Sequence, residues 1–254
     1  MRPAAVNFFF ARGKGFLRFD KEEGEMVDIY QVSMCKIMQA ALTLFGQKGY
    51  KKTGVRQIAD TCGVSLGLIN HYFGSKRMLA QQTLLMMLEF LSRQVEGVPG
   101  TEDPLVFDIT EARVQIRYLL SSPFRQFYLD TLEEGIMFES MLAHPEEVLA
   151  KLRRKYAFSE GDDYIMLYTR YLPSDMEKIL VLGKEAGQFQ SISYDEIPFL
   201  ICRAAKERFF PQEELLRADA VSRKLAEEIL ETVPAMPGEA FVREYICGLK
   251  MPLA

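Results

Sequence analysis

The sequence predicts an all-α fold in two parts, an N-terminal three-helix helix-turn-helix domain and a C-terminal helical domain. Three observations carry this. Apolar residues recur at helical spacing in segment after segment beyond residue 30. No alternation of β period runs for a useful length. Residues 96–104, Glu-Gly-Val-Pro-Gly-Thr-Glu-Asp-Pro, form a Pro/Gly linker between two helical stretches. The boundaries that follow are an irregular extension over 1–25, a first domain over 26–95 and a second over 105–254.

Within the first domain, Met34, Ile37, Met38, Ala41, Leu42 and Phe45 place a helix over 31–48, ended by Gly49. Val55, Ile58, Ala59 and Cys62 fall at i, i+3, i+4 and i+7, one apolar stripe of a second helix, with Thr53 as its expected N-cap. Gly63 supplies the left-handed backbone that ends this helix tightly. Val64 is an apolar plug. Ser65 caps a third helix that buries Ile69 and Phe73, with Tyr72 beside them. Helix, glycine turn and second helix is the arrangement that sets a recognition helix in a DNA major groove. Ser75 is expected to cap a fourth helix to about Gln94. Its first turn carries Lys76 and Arg77, against the helix dipole, a cost best understood if an external anion meets them.

Charge divides the same way. Residues 31–78 hold seven Lys or Arg against one acid, Asp60, for a net +6, while the whole chain is −4. A basic module on an acidic body suits phosphate contact by one part and a different task for the other.

Beyond the linker the pattern predicts helices over 110–120, 123–132, 145–156 and 162–171. A break is expected at Leu172-Pro173, with Ser174 capping a further helix to Gly187. Helices over 195–210 and 212–233 form a pair, and 238–249 gives a last short helix. Residues 1–25 lack helical periodicity. Lys21-Glu22-Glu23-Gly24-Glu25 can be encoded by a purine-rich stretch like a bacterial ribosome-binding site, so Met26 is the expected start and 1–25 translated upstream sequence. The rival reading is a basic-aromatic arm lying along DNA.

Composition narrows the function classes. No run of about 18 apolar residues exists, so no membrane span is expected. Asn7-Phe8-Phe9-Phe10 is followed by Arg12, Lys14 and Arg18, which is not a secretory-signal pattern. Cys35, Cys62, Cys202 and Cys247 lie far apart with no CxxC, which points to reduced thiols and the cytoplasm. The two histidines, His71 and His144, sit in no Ser/His/Asp order. No Gly-rich phosphate loop or spaced metal ligands occur. No catalysis, metal or cofactor is therefore expected, and acidic pairs such as Glu133-Glu134 read as solvated surface.

Ala40-Ala41, Leu44-Phe45, Gly49-Tyr50, Thr53, Ile58-Ala59, Gly63-Val64-Ser65, Gly67, Tyr72-Phe73 and Ser75-Lys76 stand in one order, and this fifth of the chain resembles the DNA-binding domain of TetR/AcrR-family transcriptional regulators. The resemblance implies a homodimer on double-stranded operator DNA, most simply a repressor released by a small apolar ligand held in the C-terminal domain. It implies a DNA-binding segment headed by the cap Ser65, with base-edge contacts from Leu66, Gly67, Leu68, Asn70 and His71, and phosphate contacts from Thr53, Tyr72 and Lys76. Asn70 can pair bidentately with adenine, and Leu66 or Leu68 can touch a thymine methyl. Asn70 stands where the family more often has an aromatic, which leaves the sequence read at that point open.

The same resemblance makes the helices around 195–233 the dimer surface. Leu200, Ile201, Ala204, Ala205 and Phe209 offer one stripe, and Ala220, Val221, Leu225, Ile229 and Leu230 another. It also makes a minority of the aromatics and methionines between 124 and 176 pocket-lining, with Phe127, Tyr128, Phe138, Met141, Tyr164 and Tyr168 as candidates; most such residues simply fill cores. Two competing readings are a ligand-binding helical protein that has lost DNA binding and an all-α enzyme with its site in the acidic domain. The basic module weighs against the first, and the missing nucleophile and base against the second. N-terminal sequencing of the natively expressed protein checks the start at Met26, and a terminus at Met1 overturns it.

Overall fold

The computed structural model describes residues 29–141, 153, 156 and 161–248. The expected extension and start site at 1–25, and most of the expected 145–156 helix with His144 before it, lie outside these residues. The regular elements among the described residues are all helices, with no strand among them. They fall into two compact units. One comprises the chain up to Met87 together with residues from Met236 onward, and the other is Leu88–Ala235.

The first unit opens with α1 (Ile29–Lys48). Its Ile37, Met38, Leu42 and Phe45 are fully buried. Gly49 closes it at φ 75°, its N–H returning to the Phe45 carbonyl at 2.8 Å. α2 (Val55–Cys62) and α3 (Leu66–Phe73) follow. α4 (Lys76–Val95) begins where Ser75 accepts the Met78 N–H at 3.1 Å, as its capping role requires. The boundary between the units falls inside α4. The final helix, here α12 (Glu239–Gly248), buries Val242, Tyr245 and Ile246 and packs on α1, where the Cys247 Sγ lies 3.5 Å from Gln31 Oε1. Chain order alone groups these residues with the second domain. Chain order misleads here because ten residues bury too little apolar surface alone and dock where a complementary stripe exists.

The second unit starts earlier than its periodicity indicates. α5 is Pro104–Ser121, not 110–120. Asp103 caps it, accepting the Leu105 N–H at 2.8 Å, and Pro104 occupies the first turn. Proline is favoured there because its missing N–H has no helical partner to lose, so a residue read as part of the linker is a helix start. α6 (Arg125–Glu133) and α7 (Ile136–Met141) follow.

A second proline gives a larger departure. No break occurs at Leu172-Pro173. α8 (Asp162–Met166) runs into a π turn, Leu167–Tyr171, and on into α9 (Leu172–Glu185). The Leu172 N–H reaches back five residues to the Leu167 carbonyl. Pro173 has no N–H, and its ring would clash with the carbonyl four residues before it. The wider turn makes room for that ring and the helix continues. Ser174 is accordingly a buried interior residue and not a cap.

α10 (Ile197–Lys206) and α11 (Gln212–Thr232) complete the unit. α11 lies along α5, with Leu105, Val106 and Ile109 packed with Leu215, Ala218 and Leu225. In the middle of this interface Arg113, 0% exposed, bonds Asp219 and meets Asp195 Oδ1 at 2.8 Å. Arg223 holds the outer oxygens of both carboxylates, Asp195 Oδ2 at 2.7 Å and Asp219 Oδ2 at 3.0 Å. A buried ion pair is stable only when each charge remains compensated. Asp219→Ala should therefore cost about 3 kcal/mol in urea denaturation. Arg113→Met, which leaves both carboxylates on Arg223, should cost less; the opposite order would contradict this account.

Candidate functional site

The turn between α2 and α3 is built on one backbone angle. Gly63 sits at φ 69°, ψ 30°, and its N–H bonds the Ala59 carbonyl, as does the next, Val64 N–H at 3.1 Å. A Cβ at this position would meet nothing within 4 Å, so only the left-handed backbone demands glycine. Ser65, in extended backbone, then caps α3, its Oγ accepting the Leu68 N–H at 3.3 Å. Ile69 and Phe73 are fully buried and lock the helix to the unit. The face opposite is bare. Ser65, Leu66, Gly67, Asn70 and His71 are exposed, and Leu68 is half-buried. Gly67 leaves open backbone on that face; an added Cβ would only touch Ser65 Oγ at 3.9 Å, so no intramolecular contact needs glycine there.

Two of the residues expected beside this face are placed elsewhere. Thr53 is 1% exposed. Its hydroxyl donates to the Gly49 carbonyl at 2.7 Å and approaches that of Leu44 at 3.3 Å, tying the loop to the end of α1. It does not cap α2. Gly54 does, and the Gln57 Oε1 accepts the Gly54 N–H at 3.0 Å. A threonine before a helix reads as a cap, but here the unpaired carbonyls ending α1 compete for the hydroxyl and win. Tyr72 is 4% exposed, its ring 5.4 Å from that of His71. Thr53 and Tyr72 thus belong mainly to the support of the site. Lys76 is half-buried at the start of α4, its Nζ 4.1 Å above the Tyr50 ring, an arrangement that orients the ammonium. Lys36, Lys48, Lys51, Lys52 and Arg56 are exposed.

The six pocket candidates take different places in the second unit. Phe127 and Tyr128 are fully buried core. The Tyr128 hydroxyl lies 2.5 Å from the Glu177 carboxylate, whose pKa burial pushes up to about 7. Tyr164 is 52% exposed under the Arg208 guanidinium. Tyr168 stands edge-on to Phe209, and Phe138 is tilted against Tyr171. None of these lines either of two cavities in the unit. Met141 approaches one indirectly, its sulfur 3.9 Å from Arg170. The larger cavity, about 620 Å³, is lined by Arg117, Tyr118, Arg125, Tyr194 and Leu230 among others. The smaller, about 340 Å³, lies among α5, the π turn and α10, with Asp108, Glu111, Arg170 and Lys206 in its wall. Sequence reading followed aromatics and so missed Arg170; the available signal was a proline inside a helical pattern, where a widened turn redirects its neighbours.

Among the described residues no cluster of His, Cys, Asp and Glu is arranged to hold a metal, and no helix is long and apolar enough to cross a membrane. All four cysteines are free thiols.

Residues 37–83 match the family described as bacterial regulatory proteins, tetR family. The chain is 30% identical over 192 residues to the probable HTH-type transcriptional regulator YttP of Bacillus subtilis (strain 168), covering 65% of this chain and 90% of that relative. The chain belongs to the TetR family. Other TetR-type relatives match over shorter spans. The HTH-type transcriptional repressor KstR2 of Mycolicibacterium smegmatis is 38% identical over 66 residues, 26% of this chain and 32% of that one. The HTH-type transcriptional regulator BetI of Brucella anthropi is 31% identical over 125 residues, 48% and 60% respectively. The turn that carries the TetR match should fail on backbone grounds alone. Gly63→Ala should lower stability by about 1–2 kcal/mol in urea denaturation, although the added methyl meets no atom.

Proposed function

We propose that this TetR-family protein is a sequence-specific DNA-binding transcriptional regulator, a repressor released when a small, largely apolar ligand binds its second unit. The observation that carries the reading is the division of α3. Ile69 and Phe73 anchor the helix, and Leu66, Gly67, Asn70 and His71 stand clear of the protein on one side. A major groove admits such a helix, and the N-terminal residues of a recognition helix reach base edges. Asn70 offers a donor and an acceptor to adenine N7 and N6, Leu66 an apolar contact to a thymine methyl, and Gly67 a close approach of backbone to DNA. Ser65, His71 and the half-buried Leu68 flank these contacts. Lys76 and the exposed lysines of the +6 segment supply phosphate contacts that position the helix without reading sequence.

One eight-residue helix reads few base pairs, so two copies on a two-fold DNA site are required for useful specificity. We assign dimerisation to the region of α10 and α11, through Ala220 and Val221 of the expected stripe together with Leu216. Ile201, Ala205, Leu225 and Ile229 are buried within the second unit itself. Leu216, Ala220 and Val221 are exposed and remain to meet a partner copy. A ligand that binds DNA-incompetent dimers better shifts the population away from DNA. The relatives named as transcriptional repressor and regulators agree with this direction. The rival, a ligand-binding protein without DNA binding, leaves the exposed face of α3 and the basic segment without a use.

Mobility shifts on DNA upstream of the protein's own gene test the reading. Binding should weaken steeply with salt, and its absence on every such fragment would favour the rival. Lys76→Ala should weaken binding to all sequences and lower the salt slope by about one. Asn70→Ala should cost about 1–3 kcal/mol and relax preference at one base pair per half-site.

A further inference from the structure

We propose that the smaller cavity of the second unit binds a small organic monocarboxylate, anchored by Arg170. Its role as effector rests on the function proposed above, whereas its chemistry rests on the cavity alone. At about 340 Å³ the cavity is at the small end of the range for ligand sites, about 300–1,000 Å³. Part of its wall is apolar, with Ala112, Ile201 and Ala205. Arg170 comes from the π turn that Pro173 imposes, and such turns occur often at functional sites.

The guanidinium is the group left over. Its Nε is buried and makes no hydrogen bond among the described residues, and its Nη1 meets the Met141 sulfur at 3.9 Å, a weak acceptor. Burial presses its pKa below the usual range, while Asp108 and Glu111 act against that shift. The other cation of the cavity is already paired. Lys206 Nζ lies 2.7 Å from Asp108 Oδ2 and 3.2 Å from the Tyr156 hydroxyl, which itself donates to Asp108. Glu111 has an interaction of its own. A buried charged donor without an acceptor is costly, and a ligand oxygen placed at Nε would remove that cost.

A planar carboxylate matches a guanidinium with two parallel hydrogen bonds. With Asp108 and Glu111 in the same wall, one negative charge fits better than the nearly two of a phosphate monoester. The larger cavity lacks this feature. Its Arg117 and Arg125 are paired with Asp195 and Glu185, and its Tyr118 hydroxyl donates to the Pro234 carbonyl at 2.9 Å.

Calorimetric titration of the full-length protein with octanoate and phenylacetate, each against its neutral primary amide, tests the proposal. At least one acid should bind about tenfold or more tightly than its amide, as expected for a charge-assisted hydrogen bond. Arg170→Gln should abolish that preference while leaving amide binding and the helical circular dichroism unchanged. Ala112→Leu, which fills the cavity without touching its charge, should weaken acid and amide alike. Equal binding of acids and amides, no binding of either, or a preference that survives Arg170→Gln would overturn the proposal. Mobility shifts on the same preparations separate it from the regulatory reading. DNA release by acid and amide alike would sink the carboxylate site and leave the ligand-released regulator standing. Selective acid binding without effect on bound DNA would support the site and remove its regulatory role.

Discussion

Arg113 sets the terms for the second unit. Its charge has no exposed surface, so it persists only while α5, the residues before α10 and α11 all hold their places around it. Packing Leu105 and Ile109 against Leu215 and Ala218 would tolerate a slide along the helices, because apolar contacts are non-directional. The two carboxylates on Arg113 do not. They fix the register of α11 on α5, and Arg223 closes the cluster from outside. The cavity at the π turn borrows this rigidity, since two of its three walls, α5 and α10, are held through Arg113 and Asp195.

The first unit was readable from local rules because local rules decide it. Gly63, Ser65 and Ser75 do what their residue types do at helix ends, and Ile58, Ile69 and Phe73 fall inside as their spacing requires. Thr53 is the exception there, and the reason is tertiary: the carbonyls that take its hydroxyl belong to Gly49 and Leu44, at the end of another helix. Two of the departures in the second unit come from proline. Pro104 starts a helix, and Pro173 lies inside one. Proline states where an N–H is missing, and only the neighbouring backbone decides whether that is a terminus or a widened turn. Long-range polar pairs such as Arg113 with Asp219 had no sequence signal at all, because a charge 106 residues from its partner looks like any solvated charge.

The two units also solve opposite electrostatic problems. The first leaves Lys36, Lys48, Lys52 and Arg56 exposed to water, where a charge costs little. The second takes several charges out of water and compensates nearly all of them in place. Against that background Arg170 stands out. Arg113 also has an unbonded Nε but holds two carboxylates through its other nitrogens, whereas among the described residues the only hydrogen-bond partner of Arg170 is the Met141 sulfur. Of the aromatics singled out from the sequence, Phe127 and Tyr128 are instead fully buried, and Phe138 and Tyr168 pack against other rings.

The docking of α12 on α1 bears on how the chain is made. Val242, Tyr245 and Ile246 cover a face of the helix that is synthesised before any other described element. During translation that face waits uncovered while roughly two hundred intervening residues are added, some tens of seconds at ordinary ribosome speeds of about 5–20 residues per second. The helix-turn-helix can form early from its own local contacts, but its last clasp arrives only with residues 239–248. Ribosome-bound chains would therefore carry a formed but incompletely covered first unit, a species open to chaperones and to pairing with a neighbour's α12 in place of its own.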